Sequence, residues 1–166
     1  MTLMFTDIVG SVAHTQRLGA AAYGQLLSHH HQLLRDALTT VVGHELLRDT
    51  GDGCLVRFEK PSDAVRVALR FQHDLHRFNH SNGNASPGSP GSPAAADCLH
   101  VRIGIHLGEL TEIPDAAGKP QLVGMAINMV ARIMDLAQGG QVLLTRHAFD
   151  DARQFVREHP GGSSRD

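Results

Sequence analysis

Leu3-Met4-Phe5-Thr6-Asp7-Ile8-Val9-Gly10-Ser11 is a short apolar run that ends in a carboxylate, a glycine and a hydroxyl. Leu3 to Ile8 reads as a buried strand, and Gly10 marks the tight turn that follows it. A second stretch has the same build. Thr50-Gly51-Asp52-Gly53 lies between short strand-like segments at Glu45–Arg48 and Cys54–Phe58, which predicts a β-hairpin with Asp-Gly turn chemistry. Each aspartate therefore sits where a strand gives way to a glycine turn, with its carboxylate expected at the edge of the sheet and out of the core. Carboxylates so placed suit a hard cation such as Mg²⁺, which takes carboxylate, water and phosphate oxygens. Glycines beside them let a polyphosphate approach backbone N–H groups. The pattern points to phosphoryl or nucleotidyl transfer.

Working outward, Ala20–Val41 carries Leu26, Leu27, His30, Leu33, Leu34, Leu38 and Val41 at helical spacing. Ser62 or Asp63 caps a second helix with an apolar stripe of Ala64, Val67, Ala68, Phe71, Leu75 and Phe78. Residues 81–96, rich in Asn, Gly, Ser, Pro and Ala, read as a flexible linker inside the domain, because neither flank builds a core alone. Leu99–His106 alternates as a strand, Glu109–Ile113 continues extended, and Asp115–Pro120 reads as a turn. Met125–Leu136 is a helix, Gln141–Thr145 a strand and Arg146–Arg157 a last helix, with residues 158–166 expected to be a disordered tail. Strands alternating with helices predict an α/β domain over residues 1–157 with a mixed sheet.

The chain has 166 residues, enough for one domain with a sizeable core. A formal net charge of -2, six Phe, one Tyr and no Trp argue against nucleic acid as a partner, including an RNA-binding α/β sandwich. No signal peptide and no apolar run of membrane-spanning length is present, so a cytoplasmic chain without membrane contact of its own is expected. The two cysteines, Cys54 and Cys98, match no zinc motif, and the twelve histidines show no ligand pattern by spacing.

The Met125–Leu136 helix is apolar nearly all round, which predicts burial, yet Asn128, Arg132 and Asp135 fall on one face. A buried polar group without a partner costs on the order of 1–3 kcal/mol. The stripe therefore either is a solvated edge with a local Arg132–Asp135 pair or lines a site.

Four motifs in order now resemble the class III nucleotidyl cyclases. They are Phe5-Thr6-Asp7-Ile8-Val9-Gly10-Ser11, Arg48-x-x-Gly51-Asp52-Gly53, Arg102-Ile103-Gly104-Ile105-His106-x-Gly108-Glu109 and Gly124-x-x-x-Asn128-x-x-x-Arg132, covering Met1 to about His147. The resemblance implies an α+β sandwich of the ferredoxin-like, palm type. In it a mixed, mainly antiparallel sheet is covered by helices, and two chains form a head-to-tail homodimer. It implies that Asp7, Asp52 and the Ile8 carbonyl hold two Mg²⁺ or Mn²⁺ ions, and that the N–H groups of Val9, Gly10 and Ser11 cradle phosphate. Asn128, orienting the ribose, and Arg132, stabilising charge on the α-phosphate, would come from the partner protomer.

Two departures from the family pattern matter. The base-recognition positions hold Arg48 and Gln121, where the family has Lys and Asp or Thr. Arg only donates and Gln does both, which favours adenine, leaves cytosine open and disfavours guanine. The family's final hairpin has no counterpart after Arg157, so a domain shortened at its C-terminus is expected. The implied function is conversion of a nucleoside triphosphate, ATP or CTP, to a 3′,5′-cyclic nucleotide and pyrophosphate in signalling, with a flanking regulatory domain possible. The alternative is a weak or inactive cyclase-like module that binds nucleotide or dimerises and regulates an attached domain.

Overall fold

The computed structural model describes residues 1–83, 98–114, 116, 118 and 120–158. A five-stranded sheet forms its centre, in the order β2-β3-β1-β4-β7. The strands are β1 (Thr2–Ile8), β2 (His44–Asp49), β3 (Gly53–Phe58), β4 (Val101–Leu107) and β7 (Val142–Leu144), all antiparallel except the β4–β7 pair. A separate two-stranded ribbon pairs β5 (Thr111–Pro114) with β6 (Pro120–Val123). The helices are α1 (Ser11–Leu18), α2 (Ala20–Leu38), α3 (Pro61–Gly83), α4 (Met125–Leu136) and α5 (Arg146–Glu158). This is the mixed, mainly antiparallel α/β sandwich expected.

Alternation along β1 divides the core in two. Met4 and Ile8 enter the larger layer beneath α2, α3 and α5, together with Val56, Phe58, Phe71 and Ile103. Leu3 and Phe5 face the other side, where Leu55, Ala126 and Val130 seat α4. Burial acts on two titratable groups of the larger layer. It lowers His30 to about 4 and pushes the Cys54 thiol up to about 11. Neither ring nitrogen of His30 has a hydrogen-bond partner among the described residues, and its ring packs edge-on against Phe71 at 5.3 Å.

α4 lies close against β4 because Gly104 has no side chain. A Cβ there would stand 2.6 Å from the Met134 nitrogen and 2.7 Å from the Val130 oxygen, both backbone atoms of α4. The helix that carries Asn128 and Arg132 is thus held at a distance that only glycine at position 104 permits.

Several expectations need correction. α1 is a separate helix with no buried residue, too weakly patterned to stand out in sequence. β6 occupies Pro120–Val123, directly after the expected turn. α4 is not buried all round: only Ala126, Val130 and Met134 are, while Met125 and Leu136 are each 78% exposed. Residues 81–83 of the expected linker belong to α3 and Glu158 of the expected tail to α5; the remainder of both lies outside the described residues.

Gly104→Ala should destabilise the fold by about 1–3 kcal/mol through overpacking, read as a fall in the denaturation midpoint at unchanged slope. Acid should act through His30. Its folded-state value lies below the unfolded one, so its stabilisation is present above about 6.5 and is lost as pH falls toward about 4. At pH 5 this is about 2 kcal/mol. His30→Leu should therefore lose less thermal stability than the unaltered protein between pH 7 and pH 5 by calorimetry.

Candidate active site

The register of β1 assembles the site. Asp7 stands opposite Gly53 of β3 on one side and opposite Arg102 of β4 on the other. Gly53 must lack a side chain, since a Cβ would lie 2.4 Å from the Thr6 carbonyl oxygen. This close contact draws the β2–β3 turn onto β1, where Ile8 N–H donates to the Asp52 carbonyl at 3.0 Å. The Ser11 hydroxyl then donates to Asp52 Oδ2 at 2.7 Å, fixing the second carboxylate to the first turn of α1. Gly51, at φ 93, supplies the left-handed residue of the turn. Asp7, Ser11 and Asp52, expected to act together, do converge at one end of the sheet.

Asp7 is not at an open edge, however. It belongs to the central strand and is half-buried, with Arg102 Nε and Nη2 donating to its Oδ2 at 2.9 and 2.7 Å. Arg102 Nη1 reaches Asp135 Oδ1 at 3.2 Å, so the guanidinium bridges β1 to the last turn of α4. Asp135 thus pairs with Arg102, and not locally with Arg132. Burial raises the Asp7 carboxyl above its usual range; Asp52 and Asp135 push the same way, and Arg102 pulls against them. Arg102 was quoted in a motif without a role. Its signal in sequence was a charged residue between the core positions Val101 and Ile103 of an alternating strand.

The donor set fits a divalent cation. Two aspartates on adjoining segments offer oxygen ligands only, as Mg²⁺ or Mn²⁺ prefers. Burial, the largest cause of the raised Asp7 carboxyl, disfavours its charged form, a cost that a bound cation would offset. Asp7, Asp52 and the Ile8 carbonyl are the groups that could hold it.

The expected phosphate cradle is narrower than its sequence suggested. Ile8 N–H goes to Asp52 and Val9 N–H to the His100 carbonyl at 2.8 Å, so Val9 is removed as a backbone donor. Gly10, at φ 73, caps α1, whose first bond runs from His14 N–H to the Gly10 carbonyl at 2.9 Å. The N–H groups of Ser11 and the next residues have no intrahelical partner, and the positive end of the helix faces the same way. Tyr23 was missed by sequence reasoning. Its hydroxyl is buried beside Ser11, and burial together with the Asp52 charge raises its pKa against the Ser11 contact, which lowers it.

Arg48 and Gln121 fall in one place. Both line one cavity of about 330 Å³ floored by Leu55 and Ile127, and Gln121 reaches it from β6, where it pairs with Ile113. Asn128 and Arg132 do not join this group. Both are exposed on α4 beside Met125, Met129 and Leu136, and no contact given for the described residues links them to Asp7 or Asp52 of the same chain.

The chain is similar to several known proteins. The chain is 27% identical over 145 residues to the serine/threonine-protein kinase pkn2 of Myxococcus xanthus, covering 87% of this chain and 15% of that protein. It is 29% identical over 177 aligned positions to the receptor-type adenylate cyclase GRESAG 4.3 of Trypanosoma brucei brucei, covering 90% and 14%. The chain thus spans well under a fifth of these relatives. A solved adenylate cyclase structure from Trypanosoma brucei, described as monomeric, superposes with a TM-score of 0.68 at 25% identity, covering 92% of this chain and 78% of that one. Among the described residues no helix is long and apolar enough to cross a membrane. The family model for the adenylate and guanylate cyclase catalytic domain matches residues 1–159. With the paired aspartates, their glycine turns and the four motifs inside that span, the chain belongs to the adenylate and guanylate cyclase catalytic domain family.

Proposed function

We propose that this chain is an active nucleotidyl cyclase that prefers ATP and works as a homodimer with shared sites. The observation that carries the reading is the convergence of Asp7 and Asp52, from segments 45 positions apart in sequence, with Ser11 clamping the second carboxylate. In the reaction the ribose 3′-oxygen forms a bond to the α-phosphorus. The bond from that phosphorus to the bridging β-phosphate oxygen breaks, pyrophosphate leaves, and the 3′-hydroxyl proton passes to solvent.

Divalent cations at Asp7 and Asp52 supply a lowered pKa at the ribose hydroxyl and neutralisation of the triphosphate. The protein's own groups do the positioning. N–H groups from Ser11 onward at the start of α1 receive phosphate oxygens. Arg48 donates to a ring nitrogen and Gln121 Oε1 accepts from an exocyclic amine, the edge that adenine presents and guanine does not. Cytosine presents a similar edge, so CTP is the nearest competitor. Arg102, which bridges Asp7 and Asp135, orients the Asp7 carboxylate from beside the site.

Asn128 and Arg132 lie away from their own chain's carboxylates, on a face where Met125, Met129 and Leu136 are exposed. A second copy covering that face brings Asn128 to the ribose and Arg132 to the α-phosphate of the partner's site, where an added donor acts on charge formed in the transition state.

One observation favours the second reading, a regulatory module without turnover: Arg102 already occupies the Asp7 carboxylate. Mass-spectrometric detection of cyclic nucleotide separates the two. Incubated with ATP, CTP, GTP or UTP plus Mn²⁺ or Mg²⁺, the chain should yield cyclic AMP as its main product. No product from any of them, in a folded dimer, supports the module.

Asp52→Asn should abolish product while leaving the thermal midpoint nearly unchanged. Arg132→Ala should lower kcat by about 10²–10³ with a much smaller effect on nucleotide binding. Mixing Asp52→Asn with Arg132→Ala should restore about a quarter of the activity, since half of the dimers then hold one intact site. Failure of the mixture to recover activity would place both residues in one chain's site.

A further inference from the structure

One cluster of ligand-type side chains has no part in the reading above. His31 on α2, Asp49 at the end of β2 and Cys54 at the start of β3 present a ring nitrogen, a carboxylate oxygen and a sulfur that all lie within 4.8 Å of one another. His31 Nε2 is 3.9 Å from Asp49 Oδ1 and 2.8 Å from the Gly51 carbonyl oxygen. The Gly51 N–H donates to Asp49 Oδ1 at 2.8 Å, and the Cys54 N–H donates to Thr6 Oγ1 at 3.2 Å. These bonds fix the carboxylate of Asp49 and the backbone of Cys54. Beside the cluster sits His30, fully buried with both ring nitrogens unpartnered and its ring 5.3 Å from that of His31.

We propose that His31, Asp49 and Cys54 form a binding site for a transition-metal ion of the Zn²⁺ type, with the Gly51 carbonyl oxygen as a fourth donor. The donor chemistry selects the ion. A thiolate and an imidazole are poor ligands for Mg²⁺ and good ones for Zn²⁺ or Co²⁺. With metal–ligand bonds of about 2.0–2.3 Å, tetrahedral donors stand about 3.3–3.8 Å apart, so closure asks for movements of about 1 Å. The side chains of His31 and Asp49 are 22% and 49% exposed, which leaves a path from solvent to the buried sulfur.

The site is distinct from the one at Asp7. Cys54 faces the layer under α2 and α3, whereas Asp7 faces the α4 side with Arg102. The two are joined through the turn, in which Asp52 lies between Gly51 and Gly53, and through the pairing of Cys54 with Thr6 on β1. An ion bound by His31, Gly51 and Cys54 ties α2 to that turn and so constrains the carboxylate of Asp52 from the opposite face of the sheet. Binding itself does not depend on the chain being an active cyclase.

The test is optical titration of the full chain with Co²⁺ in a Cys98→Ser background, which leaves Cys54 as the one cysteine. A thiolate-to-cobalt charge-transfer band at one ion per chain is expected, and it should vanish in Cys54→Ser. Zn²⁺ should displace Co²⁺ and raise the thermal midpoint. His31→Ala, at a partly exposed position that should leave the fold intact, should weaken Zn²⁺ binding by about 10–100-fold. Asp52→Asn should leave the band in place, which separates this ion from one at the catalytic carboxylates. A folded Cys98→Ser chain that takes up Co²⁺ with no thiolate band overturns the proposal. So does Zn²⁺ affinity unmoved by His31→Ala, which decides the matter alone if Cys54→Ser fails to fold.

Discussion

The register of β1 is the constraint on which the rest of this structure depends. As the central strand it is hydrogen-bonded on both sides, to β3 and to β4. A slip of one residue would exchange its two apolar faces between the layers beneath α3 and α4. Leu3 and Met4 are both fully buried, on opposite faces, and burying side chains of that size contributes about 1.5–3 kcal/mol each. That energy holds the register, and the register sets Asp7 between Gly53 and Arg102. The chemistry at the end of the sheet is therefore fixed by hydrophobic packing at its middle.

At Asp7 two electrostatic effects compete. Arg102 offers two hydrogen bonds to one carboxylate oxygen, a contact that by itself lowers a carboxyl pKa. Even so, the Asp7 carboxyl stands above its usual range, with burial as the largest cause. Desolvation wins. One guanidinium shared with Asp135 only partly offsets the cost of burying the Asp7 carboxylate. The same ion pair links the end of α4 to β1, so displacing Arg102 from Asp7 would also loosen what holds the last turn of α4 to the sheet.

Much of this was legible in sequence because the signals were local. The bounds of α4 follow from helical periodicity between Gly124 and Ala137, and the β2–β3 hairpin from its glycines. What escaped was directional or long-range. Counting apolar residues made α4 look buried, but Met125, Met129 and Leu136 point away from Gly104 and β4. α1 escaped because it buries nothing, leaving periodicity no stripe to find. Arg102 pairs with a residue 95 positions away, and the metal-ligand cluster joins His31 to Asp49 and Cys54 across the α2–β3 interface, where no sequence spacing shows it. Val9 looked like a phosphate donor until its N–H was found on His100, a bond that only tertiary structure supplies.

The placement of polar groups on α4 adds a last step. A helix that needed only to cover the sheet would keep its outer face charged and would have no reason to set Asn128 and Arg132 among exposed methionines and leucine. Mixing an amide and a guanidinium with apolar contact surface suits a face that is to be covered, because the apolar residues drive association while the polar pair requires partners once water is excluded. Nothing within the described residues of one chain supplies those partners. In the proposed dimer a nucleotide held at Asp7 and Asp52 of a second copy would supply them, and neither chain would have a complete site alone. In that arrangement association would be a condition of turnover, and whatever set the distance between two copies would control the rate without touching a catalytic residue.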